Sequence, residues 1–280
     1  MSDTAPHEDA CPAPVLNWPI APLTRALGFP VEAVGSVDST NTELMRRVRA
    51  GQLRQPVLLA AEHQSAARGR LGRAWQTGVP GEPGSALAFS LALPLQARDW
   101  SGLSLAVGLA AAESLHPDIR IKWPNDLWLW DGRQGRKLCG ILIETAALPA
   151  DGGAHAARMA VIGVGINIAP LAGQDFAEPP AALRQLRPDL DAPGALALIA
   201  PPLVAAVRAF ERQGFAPLMA RYAARDMLAG QWVRCSDGTQ GQSLGVGPDG
   251  ALRLLLPGGI ARDITSGEVS VRPVPPGRHT

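Results

Sequence analysis

The residues best suited to chemistry form a short run in which arginines alternate with glycines: Arg68, Gly69, Arg70, Gly72 and Arg73. Glycine lets a backbone approach a ligand and offer its N–H groups, and a guanidinium binds phosphate or carboxylate oxygens in pairs. Neither a strand nor a helix gains from this composition, because glycine costs order and the arginines repel one another. The run therefore predicts a loop that closes over an anion. A solvated basic loop, or a turn that touches RNA, would give the same pattern.

Two residues flank this run and complete a candidate binding site. Trp75 follows the run and offers a flat ring that can lie on a base. A strand predicted over 56–62 leads into the run, and open α/β sheets place their ligands where strands end. Gln64 lies on that approach. The loop is therefore expected at one edge of a sheet.

A second candidate site consists of small polar side chains, those of Ser39, Thr40 and Asn41. They lie between a strand predicted over 31–37 and a helix, whose first N–H groups have no partner within the helix. On the residues alone, Ser39 and Thr40 are interpreted as a helix N-cap, since Thr40 and Glu43 have the spacing of a capping box. N–H groups and hydroxyls that stay exposed there can also contact a ligand, so the two roles are compatible.

Lys122 stands at the end of a strand predicted over 119–123, between two large apolar residues. A lysine on a strand edge can act simply as a guard against aggregation. A guarding lysine would be an unusual choice here, because the aliphatic part of its side chain would lie between two large apolar groups. A catalytic cation is therefore the favoured interpretation. The proline two residues later cannot donate to a sheet, which predicts a turn at Asn125 and Asp126.

Gly163 and Gly165 interrupt an apolar strand predicted over 159–168. Glycine weakens a strand unless a ligand or another backbone comes close, and a β-bulge is the alternative explanation. Asn167, near the end of the strand, can hydrogen-bond the edge of an adenine through its amide. An antiparallel partner strand is predicted over 138–145.

An ordered set of motifs resembles the signatures of biotin protein ligases. The set comprises Asp-Ser-Thr-Asn at 38–41, the arginine–glycine loop, Lys-Trp-Pro-Asn-Asp-Leu at 122–127, Lys-Leu-Cys-Gly-Ile-Leu at 137–142 and Gly-Val-Gly-Ile-Asn-Ile at 163–168. The lysine–tryptophan–proline motif is the most specific, and the order of the whole set is stronger than any member. The resemblance covers roughly 34–273. One departure is Ala67, which stands where the family usually has the first glycine of the loop.

The resemblance implies an ATP- and Mg²⁺-dependent ligase that activates biotin as biotinyl-5′-AMP. The acceptor would be a lysine of the biotin carboxyl carrier protein of acetyl-CoA carboxylase. The resemblance implies catalytic roles for Lys122, Arg70 and Arg68. It implies biotin contacts for Ser39, Thr40, Asn41, Gln64, Arg68, Gly69, Arg70, Lys122 and Gly140. It implies nucleotide contacts for Arg68, Arg70, Arg73, Trp75, Asn125 and Asn167, and it assigns no metal ligand.

The fold implied by the resemblance is α/β (α+β). A central mixed β-sheet flanked by helices, like that of class II aminoacyl-tRNA synthetases, would be followed by a small C-terminal SH3-like β-barrel. The chain is accordingly divided into a mobile N-terminal extension over 1–22, a catalytic domain over 23–228 and the SH3-like domain over 229–280. Short strands separated by Asp-Gly and Pro-Gly turns in the last part support this division.

Helices are predicted over 103–115, 195–214 and 217–228. The first is rich in alanine and leucine and ends before Pro117. The second contains Pro201 and Pro202, which predict a break or a helix start.

Composition excludes several classes of protein. A net charge of +1 is low for a dedicated nucleic-acid binder, and three well-separated cysteines suit a reducing cytoplasm better than a disulfide framework. The N-terminal segment is too short and proline-rich for a helix-turn-helix, so no DNA binding is expected. No membrane partner is expected either, and a homodimer stays open. A lipoate-type protein ligase, a biotin-sensing regulator and an RNA-binding protein are the alternatives.

Overall fold

The computed structural model of this chain describes residues 16, 18–73, 75, 78, 82–130, 134–148, 157–170, 180–265 and 271–274. Most of the predicted N-terminal extension therefore lies outside the described residues. So does the Ser-Gly-Glu-Val-Ser segment at 266–270. The predicted domain boundaries stay predictions.

A seven-stranded mixed sheet forms the centre of the molecule. Its strands are β1 (Val31–Val37), β2 (Val57–Gln64), β3 (Ala86–Leu95), β4 (Ile119–Lys122), β5 (Asp126–Trp130), β6 (Gly135–Ala147) and β7 (Arg158–Asn167). They follow the spatial order β1-β2-β3-β7-β6-β5-β4. The β1–β2 pair is parallel, and every other neighbouring pair is antiparallel. The parallel pair requires a crossover, and the helix between β1 and β2 supplies it.

Helices cover both faces of this sheet. They are α1 (Ile20–Leu27), α2 (Thr40–Arg49), α3 (Leu103–Leu115), α4 (Ala192–Gln213) and α5 (Met219–Ala223). The large core lies on the face of α1, α3 and α4, where Leu109 and Leu203 are almost fully buried. Leu44 and Met45 of α2 pack with Val161 of β7 in a smaller core on the opposite face. The predicted mixed sheet flanked by helices is thus confirmed.

A second sheet, antiparallel and five-stranded, follows the last helix. It consists of β8 (Trp232–Cys235), β9 (Gln240–Val246), β10 (Leu252–Leu255), β11 (Ala261–Ile264) and β12 (Val271–Pro273), in the order β11-β10-β9-β8-β12. This small C-terminal sheet agrees with the SH3-like expectation. Its inward side chains, such as Leu254 and Val271, belong to the same continuous core as the main sheet.

Three helical segments differ from the sequence-based predictions. Helix α1 begins at Ile20, within the last residues assigned to the extension, because its Leu23 is buried against the core. Helix α4 runs without interruption through Pro201 and Pro202, since burial on both sides of the prolines outweighs the lost backbone hydrogen bonds. The helix predicted over 217–228 is a 3-10 turn followed by α5, which ends at Ala223.

Helix α4 is long and apolar enough to cross a membrane by length and composition alone. Its residues Ala195, Leu196, Ile199 and Leu203 are buried in the large core of the protein. The apolar composition of α4 is therefore explained by its contacts with the sheet and with α3.

Candidate active site

One large cavity, with a volume of about 830 Å³, lies over the main sheet and is lined by residues of β3, β5, β6 and β7. Of the residues singled out in the sequence, the lining includes Ser39, Thr40, Asn41, Gln64, Arg68, Gly69, Arg70, Arg73, Trp75, Lys122, Asn125 and Gly140. Asn167 is the predicted site residue that does not line it. The chain thus brings together segments that are far apart in sequence: the start of α2, the ends of β2 and β4, the arginine–glycine loop and the interior of β6.

The polar end of the cavity is built on the start of α2. Ser39 is the N-cap of this helix, and its hydroxyl accepts a 3.4 Å hydrogen bond from the backbone N–H of Thr42. Ser39 also lines the cavity, so the capping role is compatible with the predicted ligand contact, which stays a prediction. The backbone N–H of Thr40 donates to Gln64 Oε1 at 2.8 Å, which ties the helix to the end of β2.

Asn41 is tied into the sheet through both ends of its side-chain amide. Its Nδ2 donates to Glu144 Oε2 at 3.0 Å and to the carbonyl of Leu142 at 3.3 Å, both on β6. Its Oδ1 accepts from Ser90 Oγ at 2.6 Å. A Cβ on Gly163 would lie 2.4 Å from the same Oδ1, so this glycine is needed for the close approach of Asn41.

The arginine–glycine run is a loop, as predicted, with one 3-10 turn at Arg70–Gly72. The backbone closes on itself, because Gly69 N–H donates to the carbonyl of Arg73 at 2.7 Å. Arg68 donates to Thr42 Oγ1 at 2.9 Å and lies 3.7 Å from Glu144, so it points to the polar end. Arg70 lies 3.4 Å from Asn125 Oδ1 and points to the opposite wall.

Trp75 returns from the loop onto the floor of the cavity. Its backbone N–H donates to the carbonyl of Ala67 at 2.9 Å. A Cβ on Gly165 would lie 2.7 Å from the indole nitrogen of Trp75, and one on Gly140 would lie 3.2 Å from its ring. Strand β7 pairs in regular register through 163–165 on both sides, so the alternative explanation of a bulge is wrong. The glycines accommodate side chains from other segments.

Lys122 extends from the end of β4 into the cavity, with Nζ 4.6 Å from the ring centre of Trp128. Burial lowers the pKa of Lys122 to about 8, because the charged form loses its hydration. Asp126 opposes this shift, while Lys137, Arg272 and Arg73 add to it. At neutral pH the ammonium is still the major form.

Lys137, on β6, is a functional candidate that the sequence-based prediction omitted. Its Nζ lies 2.7 Å from Asp126 Oδ1 and 5.0 Å from the ring centre of Trp75. A Cβ on Gly140 would lie 3.4 Å from the same Nζ, so the backbone of Gly140 and this ammonium adjoin. A signal was available, because the sequence contains only two lysines, Lys122 and Lys137, and both line the cavity.

Asn125 and Asn167 hold backbone segments in place around these lysines. Asn125 forms two hydrogen bonds with Ile141. Its Nδ2 donates to the carbonyl of Ile141 at 2.7 Å, and the backbone N–H of Ile141 donates to the carbonyl of Asn125 at 3.0 Å. Asn167 is buried, and its Nδ2 donates to the carbonyl of Ala181 at 3.1 Å and approaches that of Lys137 at 3.5 Å. The predicted adenine contact of Asn167 stays a prediction, and positioning of Lys137 is the task its geometry supports.

The cavity is strongly cationic. Among the described residues that line it, Arg68, Arg70, Arg73, Lys122, Lys137 and Arg272 are positive, and Asp126 is the acidic one. Arg272 comes from β12, so the small C-terminal sheet contributes to the wall. Such a site attracts anions, and partial burial of its charges strengthens their effect on a bound anion.

Known proteins agree with this arrangement. The family model of the biotin/lipoate A/B protein ligases matches residues 34–167. The bifunctional ligase/repressor BirA of Escherichia coli (strain K12) is 34% identical over 256 residues, which cover 88% of this chain and 75% of that protein. The biotin–[acetyl-CoA-carboxylase] ligase of Paracoccus denitrificans is 32% identical over 243 residues, which cover 79% of this chain and 92% of that protein.

A solved structure shows the same fold. The biotin protein ligase from Aquifex aeolicus, in complex with biotin and ATP, superposes with a TM-score of 0.70. The match covers 88% of this chain and 99% of that chain at 24% sequence identity, a level at which the likeness concerns the fold. The curated relatives, whose length this chain largely spans, identify this protein as a member of the biotin protein ligases within the biotin/lipoate A/B protein ligase family.

Proposed function

We propose that this chain activates biotin with ATP and transfers it to a protein lysine. In the first step a carboxylate oxygen of biotin attacks the α-phosphorus, and the bond to pyrophosphate breaks. In the second step the amine of an acceptor lysine attacks the carbonyl of biotinyl-5′-AMP, and AMP leaves as the lysine nitrogen loses its proton. The first step joins two anions, so its main demands are neutralisation of charge and positioning.

The observation that carries this proposal is the composition of the cavity along its length. Ser39, Thr40 and Gln64 form a small polar end suited to a ureido ring. The arginines and lysines lie further along, where a carboxylate and phosphates have to meet. Trp75 adds a flat ring against which the adenine can pack.

Lys122 and Lys137 are the candidates for the cation between the biotin carboxylate and the α-phosphate. Lys122 is strongly buried, and this burial lowers its pKa to about 8. Lys137 adjoins the backbone of Gly140, which is expected to contact the biotin carboxylate. We assign both to charge neutralisation, and separate substitutions distinguish their shares.

The arginine–glycine loop both binds and shields the intermediate in this proposal. Arg68 and Arg70 approach the cavity from opposite sides of Gly69, and Arg73 lies at the exposed end of the turn, where it can reach the β- and γ-phosphates. A mixed anhydride hydrolyses when water reaches it, so ordering of this loop over biotinyl-5′-AMP protects the product of the first step.

Mg²⁺ is expected to accompany the triphosphate, where it offsets the negative charge of the phosphate oxygens. This ion typically keeps several waters and takes one or two carboxylates in addition to phosphates. The described residues contain no group of three or more acidic, histidine or cysteine side chains that could hold a metal ion. Asp126 lines the cavity beside Lys137 and is the residue here that would hold the ion with the phosphates.

The wider setting of the protein is also proposed. The acceptor is the biotin carboxyl carrier protein of acetyl-CoA carboxylase, as the name of the relative from Paracoccus denitrificans suggests. A cytoplasmic location agrees with Cys139 and Cys235, which are buried free thiols. The net charge of +1 argues against DNA binding. A homodimer stays a prediction, and light scattering coupled to gel filtration measures it.

Incubation with ATP, Mg²⁺, biotin and a biotin carboxyl carrier domain tests the proposal. A streptavidin blot is expected to show ATP-dependent label on the carrier. The matched control is a carrier domain whose acceptor lysine is replaced by arginine, which should stay unlabelled. Absence of label with a folded enzyme contradicts the proposal, and modification by lipoate in place of biotin favours a lipoate-type ligase.

A further inference from the structure

A buried hydroxyl on β3, that of Ser90, contacts both polar residues at the start of α2. Ser90 is fully buried, and its Oγ lies 2.7 Å from Thr40 Oγ1 and 2.6 Å from Asn41 Oδ1. Thr40 and Asn41 line the cavity, whereas Ser90 lies behind them. Any effect of Ser90 on a ligand therefore acts through these two residues.

The surroundings of Asn41 fix the orientation of its amide. The side facing β6 lies within 3.3 Å of the Leu142 carbonyl and within 3.0 Å of the Glu144 carboxyl group. A backbone carbonyl can only accept hydrogen bonds, so the NH₂ group must face β6. The carbonyl oxygen Oδ1 then faces Ser90, and it too can only accept.

This orientation determines the direction of the remaining hydrogen bonds. Ser90 has one hydroxyl proton, and Asn41 Oδ1 requires it. The short contact between Ser90 and Thr40 can then be a hydrogen bond only if Thr40 is the donor. The Thr40 hydroxyl therefore donates its hydrogen bond to Ser90 Oγ and presents only lone pairs to the cavity.

The reverse direction is less favourable. Thr40 could give its proton to Gln64 Oε1, which lies 3.2 Å away, and accept from Ser90. Gln64 Oε1 already accepts from the backbone N–H of Thr40 at 2.8 Å. Asn41 Oδ1 would be left facing the lone pairs of a buried oxygen at 2.6 Å, which is costly in an environment without water.

We infer that Ser90 is a positioning residue that makes Thr40 a pure hydrogen-bond acceptor, so that the cavity selects a ligand with an N–H group at that point. The inference rests on the proposed function, in which the ligand is the ureido ring of biotin. A ring N–H meets a lone pair of Thr40 there. A ring oxygen would bring lone pairs against lone pairs, and such a ligand is rejected.

Two analogues of biotin test this, each a cyclic carbamate in which one ureido N–H is replaced by oxygen. Calorimetric titration with the full chain gives their Kd values relative to biotin. We expect the isomer whose oxygen faces Thr40 to bind wild type at least about tenfold more weakly than biotin, the scale of one hydrogen bond. In Ser90→Ala the proton of Thr40 is released and can turn to the ring oxygen, so this ratio should fall severalfold.

Two further variants separate positioning from a general structural effect. In a Thr40→Val background, Ser90→Ala should leave the ratio unchanged, because Ser90 acts through Thr40. Ser243→Ala, which removes a buried hydroxyl from the C-terminal sheet, should keep the wild-type ratio. Ser90→Cys preserves the shape with a weaker donor and should give an intermediate ratio, which serves if Ser90→Ala does not fold.

Equal weakening of biotin and both analogues by Ser90→Ala would mean a merely structural role and would overturn the inference. A wild type that binds biotin and both carbamates alike overturns the inference alone. A wild type that binds none of them and catalyses no exchange of pyrophosphate into ATP overturns the proposed function, and the inference with it.

Discussion

At the scale of single residues, the two lysines of the cavity differ in environment more than in position. Lys122 projects from β4 against Trp128, and its charge is destabilised by burial. Lys137 projects from β6 and is paired with Asp126 at 2.7 Å. Within the part of the chain that the structure describes, Lys122 forms no ion pair of the kind that joins Lys137 to Asp126. A strongly buried cation without such a pair gains most from an incoming anion, which favours Lys122 as the larger contributor to the first step.

Lys122→Gln should therefore lower the rate of pyrophosphate–ATP exchange on the order of a hundredfold, because a charge that stabilises a developing anion is worth about 2–4 kcal/mol. Lys137→Gln is the matched variant in the same cavity. Both proteins should keep the wild-type unfolding transition. An exchange rate for Lys122→Gln within a few-fold of wild type would show that this residue is only a strand-edge lysine.

The rate of exchange should also depend on pH through Lys122. Its pKa of about 8 lies below the ordinary value of 10.5, so the ammonium is present below pH 8 and is lost as the pH rises through that value. The kcat/KM for exchange reports the free enzyme and should fall above pH 8. Lys122→Arg keeps its charge at these pH values, and its profile should stay flat there. A wild-type profile that is flat to pH 10 contradicts this assignment.

Sequence patterns predicted many of the residues that line the cavity. They did not predict the residues whose role depends on contacts with segments far away in the sequence. The arginine–glycine run and Lys122 are recognisable because their local composition is unusual. Ser90 and Glu144 look like ordinary strand residues, and only the packing of α2 against β3 and β6 brings Asn41 between them. The side-chain amide of Asn167 suits a contact with adenine, but the sequence could not reveal that this amide donates to a backbone carbonyl of the protein itself.

At the scale of elements, the glycines of β7 matter more than their local conformation suggests. Gly163 and Gly165 face the same side of a regular strand, and each faces a side chain from another segment. Asn41 fills the space beside the first and Trp75 the space beside the second. Strand β7 therefore helps to position both ends of the cavity, because the lack of a side chain at these two glycines leaves room for Asn41 and Trp75.

Gly165→Ala should displace Trp75, because the new Cβ would lie 2.7 Å from its indole nitrogen. The strand can accept alanine, so the fold should persist. We expect the KM for ATP to rise by about tenfold, the scale of one lost aromatic contact, with a smaller change in the KM for biotin. Steady-state exchange kinetics measure both constants. An equal rise of the two constants would mean that Trp75 serves the whole cavity rather than the nucleotide.

Arg70→Gly should loosen the loop more than it damages the first step. A third glycine would increase the entropy lost on closure, which is about 1–2 kcal/mol per residue fixed, and would remove the contact with Asn125. Biotinyl-5′-AMP should still form but should dissociate sooner. Displacement of bound intermediate measures this release, with exchange followed in the same preparation. Unchanged release together with collapsed exchange would make Arg70 chiefly a catalytic charge.

Sequence predictions of elements succeeded where local signals agree and failed where tertiary packing decides. Helix α3 has the predicted bounds because an alanine- and leucine-rich run is followed by a proline. Helix α1 carries Pro22 and spans only eight residues, so its existence depends on docking against α4 and β1. Pro201 and Pro202 look like a helix boundary, yet the core holds the helix on both sides of them.

At the scale of the whole molecule, the two sheets share one core. Trp123, the residue after Lys122, is buried, and its indole N–H donates to the carbonyl of Gly250 in the C-terminal part at 3.0 Å. Gly250 in turn packs closely against Gly102, because a Cβ added to Gly250 would lie 2.6 Å from the Cα of Gly102. Strand β12 then supplies Arg272 to the cavity wall.

Because of this shared core, the chain should unfold in one calorimetric transition. Trp123→Phe removes the hydrogen bond to Gly250 and part of a buried ring, so we expect a loss of about 1–3 kcal/mol in the free energy of unfolding. Trp130→Phe, at an exposed position, is the matched control and should change little. Two separate transitions in the wild type would show that the sheets fold independently.

The confinement of both lysines to the cavity has a consequence for the product itself. Biotinyl-5′-AMP acylates amines, and an enzyme that releases some of it risks labelling its own surface. Outside the cavity, the side chains that carry positive charge at neutral pH are arginines, which offer no nucleophilic amine. The exterior side chains therefore give released biotinyl-5′-AMP no amine to acylate, and a lysine introduced at an exposed arginine such as Arg253 would report such release.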